Sequence, residues 1–376
     1  TFKFGGRSDV QIDAHGKSRH VWVDTHDVLA IPYDVPVPGF ENDIVNTLRL
    51  WSAAARDVFD LEEFNAGSYA DSVASKNEAE NITMVLYPNA ATENGQELRL
   101  RQQYFLASAS LQDTIRNWQR RHGDDFSEFG AKHCFQLNDT HPAIAVAELM
   151  RLLIDRHGIE WDQAWDITQN TMAYTNHTLL PEALEMWSVA MFRRLLPRLL
   201  DIIYEINARF IADIGQRWPG DNDRVRRMSL IQEGPEPMIR MAYLAIVGSF
   251  SINGVAELHS RLLREGLFRD FAELWPERFN NKTNGVTQRR WLAACNPGLA
   301  SLIDETIGEG WKTELSKLAA LSEYADDADF QARWREVKLG NKTRLATDLE
   351  KKTGLKVSTD MMFDIQVKRI HEYKRQ

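Results

Sequence analysis

Two short apolar runs that end in polar side chains constrain the fold of this chain more than any other feature. "CFQLND" occupies residues 134–139, and "MAYTNHT" occupies residues 172–178. Between them lie two segments with helical spacing, the first having Pro142 near its start and Gly158 after its end. Short buried strands joined by helices are typical of a parallel sheet, so we expect an α/β fold with crossover connections.

The remaining segments give a coarse outline of the chain. Residues 1–40 carry strand signals, including a hairpin in which "HGKS" separates "VQIDA" from "RHVWVD". Helical spacing predicts helices in "VNTLRLWSAAARDVF", in "ELRLRQQYFLASASLQDTIRNWQRR", in "MAYLAIVGSF" and through nearly all of residues 181–275. "FDIQVKRI" predicts a strand near the end. Breakers concentrate between Trp275 and Trp291, which predicts domains at residues 1–282 and 283–376.

Composition excludes several classes of function. The net charge of −9 argues against a nucleic-acid partner. Cys134 and Cys295 lie far apart without a CxxC spacing, which favours a reducing compartment and argues against a bound metal. The apolar run at 241–250 is too short to span a bilayer. We therefore expect a cytoplasmic protein without membrane contact, and the composition of both ends suggests an internal piece of a longer chain.

Polar side chains follow both predicted strands. The first strand ends in Asn138, Asp139, Thr140 and His141, and the second ends in Asn176, His177 and Thr178. Because parallel strands present their carboxyl ends at one edge of a sheet, these groups would share one crevice. Amides, imidazoles and carboxylates without a nucleophile–base pair suit a hydroxyl-rich sugar. The alternative is a structural arrangement in which "NDTHP" caps a helix.

The carboxy-terminal end carries the opposite charge. "QVKRIHEYKRQ" contains Lys368, Arg369, Lys374 and Arg375, together with His371. An arginine fork beside a lysine point charge is well suited to receive phosphate, although a solvated basic tail would have the same composition. A sugar site and a phosphate site in one chain suggest glycosyl transfer that involves phosphate.

At these residues the chain resembles the α-glucan phosphorylases, the family of glycogen, starch and maltodextrin phosphorylases. The shared words occur in the family's order and cover nearly all 376 residues. They include "VLAIPYDVPVPG", "VLYPN", "ELRLRQQYF", "QLNDTHP", "AYTNHTLLPEALEMW", "IIYEIN", "NKTNGVTQRRWL" and "FDIQVKRIHEYKRQ". The resemblance implies a Rossmann-like lobe of a two-lobed GT-B-type glycosyltransferase with many helices, incomplete at both ends. Residues 1–282 would end the glucan-binding lobe, and residues 283–376 would begin the cofactor- and phosphate-binding lobe.

The resemblance also implies an activity. Members of this family split α-1,4-glucan with inorganic phosphate and release glucose 1-phosphate, acting as homodimers. They use pyridoxal 5′-phosphate, whose phosphate assists the transfer of a proton. The lysine that forms the Schiff base belongs to the second lobe and lies outside this chain. We therefore expect these 376 residues to be inactive by themselves.

Individual roles follow from matching motifs. His177 would face the reacting glucose with its ring and its carbonyl, and Asn284 of "KTNG" would bind hydroxyls of that glucose. Further glucan contacts are implied for Asp139, His141 and Glu182, and for Asn89 and Arg99 in and beside a loop that gates the site. The substrate phosphate would be held by Arg369 and Lys374, with Lys368 close by.

The sequence departs from the family pattern in two places that bear on function. Ala90 and Ala91 stand in the gate loop where many members have an acidic and a polar residue. Arg116 and Asn117 stand where vertebrate members have an arginine pair that contributes to activation by nucleotide. Two alternatives therefore stand beside an active phosphorylase: a glucan-binding relative without catalysis, and a nucleotide-sugar glucosyltransferase of similar architecture.

Overall fold

The computed structural model describes residues 1–12, 16, 18–56, 59–365 and 367, without the side chain of Glu182. The chain divides into two compact units, residues 1–283 and residues 284–376. The division falls within the breaker-rich stretch from Trp275 to Trp291. The strand predicted in "FDIQVKRI" lies partly outside the described residues.

The amino-terminal part of the first unit is antiparallel. Its strands are β1 (Phe2–Phe4), β2 (Arg7–Ile12), β3 (Ser18–Val23), β4 (His26–Pro38) and β5 (Val45–Ala55). Strands β2 and β3 form the predicted hairpin, while β1, β4 and β5 form a second sheet. The helix predicted in "VNTLRLWSAAARDVF" is wrong, because β5 pairs with β4 along its whole length. Leu50 faces Tyr33 and Leu48 faces Val35, so cross-strand pairing outweighs the helical spacing.

Helices and short strands then alternate as the α/β prediction requires. In order they are α1 (Leu61–Asn65), α2 (Ala74–Met84), α3 (Glu93–His122), α4 (Phe129–Lys132), β6 (Phe135–Asn138), α5 (Ala145–Arg151), α6 (Trp161–Thr171) and β7 (Met172–Thr175). The Thr92 hydroxyl caps the start of α3, and Gly123 ends it with a φ of 64°.

The next segment was predicted to be nearly all helical, and that prediction is wrong in part. It contains β8 (Met186–Ser188), α7 (Val189–Leu195), α8 (Pro197–Arg217), α9 (Asn222–Met228), β9 (Ile231–Gln232), β10 (Met238–Arg240), α10 (Met241–Val247), β11 (Ser251–Gly254), α11 (Glu257–Leu262), α12 (Arg269–Leu274) and β12 (Phe279–Asn281). Strands of two to four residues are too short to give a periodic signal, and only pairing with distant segments creates them.

Four parallel strands organise the core of the first unit within the described residues. Their order is β12, β11, β7, β6, and each neighbouring pair runs parallel. Helices cover this sheet with apolar faces, for example through Leu149 and Leu153 after β6 and Ile203 on α8, all fully buried. The arrangement confirms the α/β fold class and brings the carboxyl ends of the strands to one edge.

The second unit has a core of its own. Its helices are α13 (Pro297–Ile307) and α14 (Ala328–Thr353). Trp311 is fully buried against Ile303 and Ala300, and its indole N–H donates to the Asp304 carboxylate at 2.9 Å. Across the described part of both units, no helix combines the length and apolarity needed to cross a bilayer.

Candidate functional site

The carboxyl edge of the parallel sheet carries a row of hydrogen-bonded polar side chains. Asn138, Thr175 and Asn253 occupy the same register on β6, β7 and β11. The Gln136 amide donates to the Thr175 hydroxyl at 2.8 Å, and that hydroxyl donates to the Asn253 side-chain oxygen at 2.9 Å. Three neighbouring strands are thus tied together by side chains at the edge where ligands bind in open α/β sheets.

His177 lies on this edge with its ring exposed. Its Nε2 is 2.6 Å from the Asn138 side-chain oxygen, so the polar groups that follow β6 and β7 meet as the sequence suggested. An oxygen acceptor at this distance requires a proton on Nε2 of the neutral ring. No donor among the described residues reaches the Nδ1 of His177, so this nitrogen can accept a hydrogen bond from a hydroxyl.

A second histidine supports the residue before His177. The backbone N–H of Val255 donates to Nδ1 of His259 at 3.0 Å, so the neutral His259 ring carries its proton on Nε2. That Nε2 lies 3.2 Å from the side-chain oxygen of Asn176, whose amide donates to the Tyr174 hydroxyl at 3.2 Å. Burial, and then repulsion from His177, lower the pKa of His259, which favours the neutral ring that this geometry needs.

Asp139 follows β6 in a conformation that is rare for a residue with a side chain. Its φ is 68°, in the left-handed region. Its backbone N–H donates to the Thr175 carbonyl at 3.0 Å, and its carboxylate accepts from the N–H of Thr140 at 2.8 Å. Such conformations persist where the surroundings fix them, and the bonds to Thr175 and Thr140 do so here.

Glu185 connects three parts of the chain. Its carboxylate accepts from Arg99 at 3.0 Å and from the Gln103 amide at 2.9 and 3.1 Å, both donors lying on α3. The Thr140 hydroxyl donates to it at 3.4 Å from the loop after β6. With only 13% of its side chain exposed, Glu185 fixes α3 against the loops at the sheet edge.

Beside this carboxylate lies a cleft of about 480 Å³ that we call the His141 cleft. Its polar lining includes Arg99, Gln103 and the exposed His141, and its apolar lining includes Phe135 of β6 and Tyr87, which lies just before Asn89 of the gate loop. The size is within the usual range for a small-ligand site. Three of the predicted or newly found polar residues therefore border one cavity.

The other predicted site residues are placed as follows. Asn89 is exposed, and its side-chain oxygen accepts from the N–H of Ala91 at 3.0 Å within the gate loop. Glu182 lies in the turn Pro181–Ala183, and Asn284 is the exposed first residue of the second unit. Lys368, Arg369 and Lys374 lie outside the described residues.

Sequence reasoning missed four residues of this edge: Gln103, Glu185, Asn253 and His259. Asn253 is the fourth residue of "FSING", which ends in a polar residue and glycine much as the two predicted strands end in polar residues, and His259 follows this stretch. That signal was present but was absorbed into a helical prediction. Nothing local in the sequence distinguishes Glu185 or Gln103 from ordinary surface residues, because their role depends on contacts between distant segments.

Comparisons with known proteins identify the family of the chain. The sequence profile of the carbohydrate phosphorylases matches residues 1–376. The chain belongs to the carbohydrate phosphorylase family. Among curated relatives of this family, the brain form of glycogen phosphorylase from Bos taurus is 53% identical over 362 residues, and the muscle form from Homo sapiens is 52% identical over 362 residues.

The alignments cover nearly all of this chain but less than half of each relative. The aligned residues make up 94% of this chain but 43% of each of these two phosphorylases. The chain therefore spans less than half the length of the curated relatives it matches. Any activity that needs the rest of such a protein belongs to the complete molecule.

Proposed function

We propose that the complete protein catalyses the phosphorolysis of α-1,4-glucan to glucose 1-phosphate, and that this chain supplies the glucan-facing edge of its site. The observation that carries the proposal is the contact of His177 with Asn138 at the carboxyl edge of the sheet. Membership of the phosphorylase family and the names of its relatives support the same reaction. A phosphorylase needs a row of hydrogen-bonding side chains of this kind, because each hydroxyl of the glucose must be bound by its own donor or acceptor.

In this proposal His177 binds the glucose that is transferred, and Asn284 binds further hydroxyls of it. The subsites for the remaining glucan are formed by Asp139, His141 and Glu182, with Asn89 and Arg99 on the gate-loop side. Glu185 is a positioning residue, because it engages Arg99 and Gln103 directly. Hydrogen-bonding groups that are already paired lose little freedom when they bind a sugar, which favours specificity.

The proposed reaction exchanges one bond at the anomeric carbon. The glycosidic C–O bond breaks, a phosphate oxygen forms the new bond to that carbon, and a proton passes to the leaving glucan oxygen. Positive charge develops on the glucose as the bond breaks, and in this proposal the carbonyl of His177 stabilises it. The phosphate would be held by Arg369 and Lys374, with Lys368 nearby.

Pyridoxal 5′-phosphate is part of the proposal for the complete protein only. An aldehyde cofactor needs a lysine amine to hold it. The side chains that form the described site are amides, imidazoles, hydroxyls and carboxylates with one arginine, and they do not fit that requirement. We therefore derive no step of the reaction through the cofactor.

The decisive experiment is to measure glucose 1-phosphate release from maltodextrin and phosphate by the complete protein and its His177→Ala variant. We expect release by the parent and a loss of about tenfold or more in the variant, because a binding hydrogen bond is removed. His26→Ala, which changes an exposed histidine of β4, is the matched control. Equal turnover by the parent and His177→Ala would overturn the assigned site.

A catalytically silent glucan-binding relative is the second candidate, because Ala90 and Ala91 remove polar groups from the gate loop. It predicts that the complete protein binds maltodextrin but releases no glucose 1-phosphate. Homodimers and a cytoplasmic location are also proposed for the complete protein. Sedimentation and cell fractionation would test these two proposals.

A further inference from the structure

Asparagine followed by glycine is the residue pair most prone to covalent ageing, and this chain contains it at three places. The pairs are Asn94–Gly95, Asn253–Gly254 and Asn284–Gly285. Asparagine is thermolabile, and a glycine after it leaves the next backbone nitrogen unshielded because glycine has no Cβ. The amino-acid pattern makes the three pairs equivalent, so their surroundings in the fold decide which of them reacts.

Deamidation of such a pair requires one backbone nitrogen to reach one side chain. The glycine N–H loses its proton to a base in the solvent, and its nitrogen bonds to the carbon of the asparagine amide. The bond from that carbon to the amide nitrogen breaks, ammonia leaves, and a cyclic imide remains. Water then opens the imide at either carbonyl and yields aspartate or isoaspartate. The reaction therefore needs a free side-chain amide, a free glycine N–H and room for the backbone to bend.

The pair at the start of α3 does not meet these needs. Asn94 and Gly95 lie in the first turn of the helix, where the Gly95 N–H donates to the Thr92 hydroxyl at 3.2 Å. A Cβ on Gly95 would collide with the carbonyl oxygen of Asn89, so the backbone of this turn is closely packed. The attacking nitrogen is thus engaged and the chain around it is fixed.

The pair at the end of β11 is protected in another way. Asn253 is 7% exposed; its side-chain oxygen accepts from the Thr175 hydroxyl at 2.9 Å, and its amide donates to the Gly254 carbonyl at 2.9 Å. Both residues of the pair also lie opposite β12 in the parallel sheet. The reacting amide is therefore bound at both of its polar atoms, and the backbone is held extended.

Asn284–Gly285 has none of these restraints. Both residues are exposed and lie outside any helix or strand. Within the part of the chain that the structure describes, no group hydrogen-bonds to the Asn284 side chain or to the Gly285 N–H. A Cβ at position 285 would have no atom within 4 Å, and the backbone there is not left-handed. The amide, the N–H and the space for the reaction are all available.

We propose that Asn284 is a site of spontaneous deamidation, with water as the co-reactant. The consequence for activity rests on the proposed function, in which Asn284 binds hydroxyls of the transferred glucose. Aspartate replaces the two N–H donors of the amide with a carboxylate that only accepts, and it adds negative charge to a site that must admit phosphate. Isoaspartate also lengthens the backbone and moves the side chain. The protein therefore loses phosphorolysis as it ages, without unfolding.

The first test is to age the complete protein in mildly alkaline buffer, digest it in acid and follow each Asn–Gly peptide by mass spectrometry. Asn94 and Asn253 are controls within the same molecule. We expect Asn284 to convert about tenfold faster than either control or more, because the other two pairs react only after local opening of the fold. Equal rates at the three pairs, or the slowest rate at Asn284, would overturn the proposal.

Gly285→Ala is the variant that tests the mechanism. The open space at position 285 allows the added methyl group, so the fold is retained. The methyl group hinders the attacking nitrogen, and we expect conversion of Asn284 to slow by about tenfold. Conversion at the parent rate in this variant would show that the Gly285 nitrogen is not the attacking group and would overturn the proposed reaction.

Glucose 1-phosphate release by the same samples tests the consequence. We expect the activity of the parent to fall in step with conversion of Asn284, and Gly285→Ala to keep its own starting activity over the same period. Complete conversion without loss of activity would overturn the link between deamidation and phosphorolysis. A parent that releases no glucose 1-phosphate before ageing would reject the proposed function, whereas the peptide measurement would still decide whether Asn284 deamidates.

Discussion

His259 and Asn176 are joined side chain to side chain across the edge of the parallel sheet, with Nε2 of the ring 3.2 Å from the amide oxygen. His259 follows β11, whereas Asn176 follows β7 and precedes His177. The Val255 N–H fixes the tautomer from the other side of the ring. The position of His177 therefore depends on a histidine that does not itself need to touch a sugar.

Replacing His259 by phenylalanine should impair the complete enzyme without unfolding it. The change keeps an aromatic ring of similar size but removes both hydrogen bonds, so Asn176 loses its support. We expect glucose 1-phosphate formation to fall by about tenfold, which corresponds to roughly one neutral hydrogen bond. His157→Phe, which alters another partly buried histidine beside Phe126, is the control and should be neutral. Normal turnover in His259→Phe would refute this role.

The same contact predicts a loss of stability in mild acid. Burial and the nearby His177 lower the pKa of His259 below its ordinary value of about 6.5. The folded state then binds this proton less readily than the unfolded state. Stability is complete above the ordinary pKa and falls as the pH drops from there to the lowered value. Thermal unfolding between pH 7 and pH 5 should show this decline, and a smaller one in His259→Phe.

Glu185→Ala should destabilise the sheet edge through the partners it leaves behind. Gln103 is 8% exposed and Arg99 is partly covered, so both donors would lose an acceptor in a region with little water. We expect a loss of about 2 kcal/mol in the free energy of unfolding. Calorimetric melting would measure it, with Glu93→Ala, whose side chain is 79% exposed, as the control. A melting temperature equal to that of the control would contradict this prediction.

Breaking a buried ion pair on α5 should lower the free energy of unfolding by more than Glu185→Ala does. Glu148 and Arg151 are 0% and 3% exposed, and two hydrogen bonds of 2.7 Å join them. Burial alone lowers the pKa of Arg151, but the Glu148 carboxylate outweighs it and raises that pKa, so the guanidinium remains charged. Arg151→Met would strand the carboxylate and should cost about 3–5 kcal/mol.

The matched experiment adds Glu148→Gln to Arg151→Met. Because the double variant buries no unpaired charge, it should recover part of the lost melting temperature. A double variant less stable than Arg151→Met would show that packing around the guanidinium, which also lies 5.6 Å from the Trp22 ring centre, outweighs the charge.

The sequence was informative where local pattern and tertiary structure agree. Helix α3 and the strands β6 and β7 were predicted because their apolar spacing and flanking residues are strong and local. Strand β5 was mistaken for a helix because leucines and alanines gave a helical spacing, while the decisive contact is with β4. Strand β11 was missed because its four residues lie between helices and were included in a helical prediction.

The site divides in the same way. His177 and Asp139 could be named from the polar ends of two strands, and the strands do lie side by side. His259 and Glu185 act through segments far away in sequence, at Asn176 and on α3. No local pattern contains such information, since it arises only when the crossover connections bring the segments together.

Gly254 offers the sharpest test of how tightly the sheet edge is packed. It is the last residue of β11, and a Cβ at this position would lie 2.5 Å from the Ser260 hydroxyl and 2.9 Å from the backbone of α11. Alanine would push away the helix that carries His259.

We expect Gly254→Ala to cost about 1–3 kcal/mol through overpacking and to weaken glucan binding by the complete protein as well. Gly215→Ala is the control, because Gly215 lies inside α8 with open space around it. That change should raise stability by about 0.5–1 kcal/mol through helix propensity. If both alanines had the same effect on the melting temperature, the close contact of Gly254 with Ser260 would not limit the size of the residue at position 254. That result would contradict the inference that packing of α11 against β11 holds His259 beside Asn176.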